Sequence, residues 1–70
     1  MTGSRAGDPS SVSRLVHDLA NPLSAVLAEA QLLLLDAERM TPDTVASLRA
    51  IEAAAMKMRA ILKDTAARRA

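Results

Sequence analysis

The stretch "DAERMTPDT", Asp36 to Thr44, separates two runs of regularly spaced apolar residues and decides how the chain folds. Upstream of it the run is Val12, Val16, Leu19, Leu23, Val26, Ala30, Leu33 and Ala37; after a first step of four, the intervals alternate three and four. Downstream, Leu48, Ile51, Ala55, Met58, Leu62 and Thr65 keep the same rhythm. Intervals of three and four place residues on one stripe of an α-helix, the seam of a bundle. Within the separating stretch Thr41 reads as an N-cap and Pro42 as the first helical residue, where a missing N–H costs no hydrogen bond. Asp43 then brings a carboxylate to the positive end of the helix dipole. The spacing predicts helices over 10–38 and 42–67 joined by a turn at 39–41. Residues 1–9 are small and polar, an expected flexible tail, although "DPSS" offers Asp8 or Ser10 as N-cap with Pro9 at a first helical position. Residues 68–70 end the chain, and Lys63, Arg68 and Arg69 suit the negative end of the second helix.

The expected fold is all-α, an antiparallel two-helix hairpin. Leu15, Leu27, Leu32, Leu34 and Leu35 widen the apolar stripe of the first helix beyond what one neighbour covers. Chains this short bury only about 60% of their unfolded surface. A second, identical hairpin would cover the remainder, so the expectation is a homodimer forming a four-helix bundle. Packing against another domain of a parent protein is the alternative. Met40, Met56 and Met58 read as core or turn filler.

Composition excludes several function classes. The chain has no cysteine, so it makes no disulfide and no thiolate metal site, and one histidine with scattered carboxylates makes no metal cluster. It has no aromatic residue on which bases could stack, and nine basic against eight acidic residues give a net charge of +1, so no nucleic-acid partner is expected. No apolar run approaches the roughly 18 residues of a membrane span, so no direct membrane insertion is expected. The expected location is cytoplasmic, either free or as the cytoplasmic part of a membrane-anchored protein.

The only histidine, His17, lies in "HDLANPL" on the first helix. Asn21, Ser24 and Ala28 follow it at four, seven and eleven residues, a strip of small and polar groups on one helix face. Pro22 removes the N–H that the carbonyl of residue 18 would accept, which places strain on the turn of the histidine. A carboxylate that accepts a hydrogen bond from one imidazole N–H fixes the tautomer and leaves the other nitrogen a better nucleophile. Asp18 is positioned by sequence for that role, and a phosphoryl group is a natural electrophile for histidine. On spacing alone, a purely structural histidine explains His17 equally well. "KMRAILK" reads mainly as a solvated face, with a lesser reading in which one of Lys57, Arg59 and Lys63 meets an acidic partner. A turn near residue 40 brings Lys63 level with His17, so Lys63 or Asp64 is a candidate to tune it.

The string itself is more specific. "HDLANPL" resembles the H-box of two-component sensor histidine kinases: His, then Glu or Asp, two variable residues, Thr or Asn, Pro and Leu. Over about residues 10–67 the chain resembles the dimerisation and histidine-phosphotransfer domain of that family, of the HisKA type. The resemblance implies that His17 is the phosphoacceptor and that Asp18 orients and activates it. Asn21 would position the water that dephosphorylates the partner response regulator, and Pro22 would bend the helix. Ser24, Ala25 and Ala28, with Asn21 and part of the second helix, would receive the receiver domain of that regulator.

In that family the phosphoryl donor is ATP with Mg, bound by a separate catalytic domain. The two glycines of this chain, Gly3 and Gly7, make no phosphate-cradling loop, so no cofactor is expected here and the chain is not catalytically complete alone. The expected partners are a second copy, a receiver domain, and a kinase ATP-binding domain in cis or in trans. Two other functions fit the same letters: a stand-alone histidine phosphotransfer protein of a phosphorelay, and a structural dimerisation hairpin.

Overall fold

A computed structural model of the chain describes residues 9–69. Two α-helices, α1 (Pro9–Leu34) and α2 (Pro42–Arg69), pack side by side as an all-α hairpin, joined through a 3-10 turn at Ala37–Arg39. Of the expected tail only Pro9 is described, and it is already helical; residues 1–8, with the N-cap candidate Asp8, and Ala70 lie outside the described residues.

α1 stops at Leu34, four residues before the end that its spacing predicts. The backbone tightens there: the Leu35 N–H donates to the Leu32 carbonyl at 3.2 Å and the Asp36 N–H to the Leu33 carbonyl at 3.0 Å. Two further three-residue steps follow, from Arg39 N–H to Asp36 carbonyl and from Met40 N–H to Ala37 carbonyl, both at 3.0 Å. A 3-10 path advances fewer residues per turn than an α-helix, and here it turns the chain while keeping Ala37 and Met40 half-buried. Asp36 and Arg39 form an exposed ion pair across this turn at 3.6 Å.

α2 begins where the sequence places it. The Thr44 N–H donates to Thr41 Oγ1 at 3.2 Å, so Thr41 caps one of the four N–H groups that a helix start leaves unpaired. The Thr41 hydroxyl also pairs with that of Thr44 at 2.9 Å. Thr41→Ala is expected to lower stability by about 1 kcal/mol, the usual cost of a lost cap, read as a lower urea midpoint with an unchanged slope.

The core is thin. Leu23, Leu27, Ala30 and Ala55 are the buried residues, with Leu27 only 5% and Ala55 only 3% exposed. Val16, Ala20 and Leu34 of α1 and Val45, Leu48 and Leu62 of α2 are half-buried around them. Alanines at 20, 30 and 55 let the two helices approach closely. The hairpin measures 51 × 22 × 15 Å, and its thinnest dimension is barely more than one helix with its side chains, about 10–12 Å. Among the described residues no second layer lies above or below the seam.

The seam keeps the expected Val12, Val16, Leu23, Ala30 and Ala37 of α1 and the turn and Leu48, Ala55, Leu62 and Thr65 of α2, but three α1 positions between them move on by one residue. It runs through Ala20, Leu27 and Leu34, whereas Leu19, Val26 and Leu33 stand 46%, 49% and 50% exposed beside it. On α2, Ile51, Met58 and Ile61 are exposed in the same way, and so is Met56; of the three methionines read as filler only Met40 is half-buried. The cause is the width of the stripe. One neighbouring helix covers one flank, and the other flank stays in water. Among the described residues no helix is long and apolar enough to cross a membrane.

Candidate functional site

The hairpin has two long sides, and they differ in chemistry. On one side Leu19 and Leu23 of α1 face Met58, Ile61 and Leu62 of α2 across a groove of about 270 Å³. Further along, Val26, Ala30 and Leu33 face Leu48 and Ile51 across a second groove of about 340 Å³. Glu29 is the one charged residue lining either groove.

His17 lies on the other side of the seam. It is exposed and lines a groove of about 330 Å³ with Ser13, Val16 and Ala20 of α1 and Arg59, Leu62, Lys63 and Ala66 of α2. The antiparallel reversal brings these together: the start of α1 lies beside the end of α2. Toward the turn on this side, Gln31 Nε2 donates to Glu52 Oε2 at 3.3 Å and ties the two helices together. α1 continues unbroken through Pro22. The missing proline N–H still leaves the Asp18 carbonyl without its α-helical donor, one residue after His17.

Asp18, Asn21, Pro22, Ser24, Ala25 and Ala28 are all exposed. Asn21, Ser24 and Ala28 share the helix face of His17, as their spacing requires. Ala25 does not join them, because it lines the opposite, apolar side with Val26 and Ile51. Among the described residues the ion pairs are Arg39–Asp36 and Arg68–Asp64, so the Asp18 carboxylate and the His17 imidazole are not in ion-pair contact in this conformation.

Of the two candidates to tune His17 from α2, Lys63 lines its groove and Asp64 does not. Asp64 turns along its own helix to Arg68, at 3.1 Å. Arg59 takes the place instead, and its signal in the sequence was the four-residue spacing from Lys63, which stacks the two cations on one face. Among the described residues no three His, Cys, Asp or Glu side chains come together as a metal site. In comparisons with protein-family profiles, with curated proteins and with solved structures, nothing matches the chain.

Proposed function

We propose that this chain is the dimerisation and phosphoacceptor domain of a two-component sensor histidine kinase, with His17 carrying the phosphoryl group. The observation that carries the reading is the division of the hairpin into two sides. "HDLANPL" puts the single histidine exposed on one side of the seam, and an unpartnered apolar flank occupies the other. A second copy docked on that flank would bury Leu19, Val26 and Leu33 against their symmetry mates and leave both His17 grooves facing outward. The occupant is a second copy because the flank is apolar along its length and carries little charge to select a different partner. Four buried residues among those described are also too small a core for a chain of this size to stand on alone.

In the forward step a bare imidazole nitrogen of His17 attacks the γ-phosphorus of ATP held by a separate kinase domain. A P–N bond forms, the P–O bond to ADP breaks, and the electron pair leaves with ADP. Asp18 swings to accept the remaining ring N–H and stabilises the positive charge that develops on the ring. In the second step an aspartate carboxylate of a receiver domain attacks the same phosphorus, and the P–N pair returns to the ring. Asn21, one turn below, orients the water that later removes the phosphoryl group from the receiver.

The test offers the full chain two donors separately: ATP with a histidine-kinase ATP-binding domain, and a phosphorylated receiver domain. Loading from the ATP-dependent donor, followed by transfer to a receiver, is the expected result. Loading only from the receiver would make the chain a phosphorelay intermediate. Loading from neither would contradict the reading.

A further inference from the structure

We propose that Arg59 and Lys63 of α2 hold the phosphoryl group carried by His17, which makes the groove between the helices an oxyanion site. The inference rests on the reading of His17 as a phosphoacceptor and adds the residues that receive the charge. Two of the eight residues lining the groove are cations and none is an acid, in a chain with eight acidic residues. On α2 the acids on either side are engaged elsewhere, Asp64 with Arg68 and Glu52 with Gln31, and Asp18, beside His17 in the chain, does not line the groove. Arg59 and Lys63 take part in neither ion pair found among the described residues. They also stand four residues apart on one helix face, a like-charge arrangement that disfavours the helix. An anion between them relieves that repulsion, and the side chain placed in the same groove is the histidine.

The chemistry sets the direction of the effect. A phosphoryl group on imidazole carries two negative charges on its oxygens. When the P–N bond breaks, the electron pair leaves with the ring nitrogen and the departing group passes through a loose, metaphosphate-like state with less charge on those oxygens. Cations resting on the oxygens favour the intact phosphohistidine over that state. Arg59 presents a planar fork of donors and Lys63 a compact charge, a combination suited to two or three oxygens at once. Both side chains are exposed, so each contributes modestly and salt weakens the effect.

The experiment loads the full chain with phosphoramidate, so that no kinase or receiver takes part. The ring nitrogen attacks phosphorus, the P–N bond of phosphoramidate breaks, ammonia leaves, and the imidazole N–H proton passes to the ammonia. His17 is the only histidine, so phosphohistidine measured by phosphorus NMR reports this site alone. At low salt the phosphohistidine of Arg59→Gln or Lys63→Gln is expected to decay about threefold faster than wild type, and that of the double variant about tenfold faster. Arg59→Lys and Lys63→Arg should keep the wild-type lifetime. In 1 M salt, where charges are screened beyond about 3 Å, the gap should close.

Equal lifetimes at low salt would overturn the proposal, as would a gap that 1 M salt leaves untouched, or a failure of His17 to load. A cation-dependent lifetime in a chain that no kinase domain loads would sustain the oxyanion site and contradict the kinase assignment instead. Helical circular dichroism of each variant separates a lost site from a lost fold.

Discussion

Val26→Asp is expected to dissociate the chain to monomers and to cost it most of its helical signal. In a single hairpin Val26 is half in water, and a charge at such a position changes stability by no more than about 0.5 kcal/mol. In a two-fold dimer the same residue is desolvated, and symmetry buries the charge twice. An unpaired buried carboxylate costs several kcal/mol even after relaxation. Among the described residues the hairpin buries only Leu23, Leu27, Ala30 and Ala55, so little stability should be left if a partner is lost. Sedimentation velocity with circular dichroism over a concentration series reads both effects, because the stability of an obligate dimer rises with protomer concentration. Leu35→Asp is the control. Leu35 is 81% exposed just past the end of α1 and lines neither apolar groove, so its substitution should leave assembly intact.

The second large effect is expected at Asp18. Asp18→Asn keeps the shape of the side chain and removes the charge that, on the proposed reading, would stabilise the developing imidazolium. General-base assistance of this kind is typically worth about 10²–10⁴ in rate, so phosphorylation from ATP should slow by at least about 100-fold. Asp18 is exposed and in no ion pair, so thermal unfolding should not change. Asn21→Ala should do the reverse: His17 loads normally, while dephosphorylation of the receiver slows. The opposite responses of neighbouring residues are measured in one assay that follows label on the chain and on the receiver over time.

Much of the hairpin was legible because local chemistry and pattern agree at the turn. Thr41, Pro42 and Asp43 each favour a helix start for a different reason, and the Thr44 N–H meets the Thr41 hydroxyl as that reading requires. The end of α1 was not legible. Apart from Asp36, "LLLLDAER" is built of good helix formers with no glycine, asparagine or proline, so no strong local signal marks the stop at Leu34. The reversal is imposed by packing, which draws Ala37 and Met40 back toward the hairpin. The stripe was legible as a whole, but not which flank faces the second helix. A wide apolar stripe is compatible with either Leu19, Val26 and Leu33 or Ala20, Leu27 and Leu34 in the seam. The closer approach allowed by alanine favours the second set.

At the candidate site, the face that carries His17, Asn21, Ser24 and Ala28 follows from helix geometry alone. Ala25 was assigned to the same strip on resemblance, and at eight residues from His17 it has rotated to the apolar side. Arg59 was legible only through its four-residue spacing from Lys63, and not as a neighbour of His17 in its own right. Its place beside His17 depends on how far α2 slides along α1, which the irregular turn at 35–41 sets and which residue spacing within either helix does not encode.

The most direct test of His17 as the phosphoacceptor is the acid stability of the label. The full chain is incubated with ATP and a histidine-kinase ATP-binding domain, then treated with acid or with base, beside a His17→Ala chain of verified fold and assembly. Label that survives base, is lost in acid, and is absent from His17→Ala is the predicted result. Acid-stable label, or label that persists in His17→Ala, would contradict it.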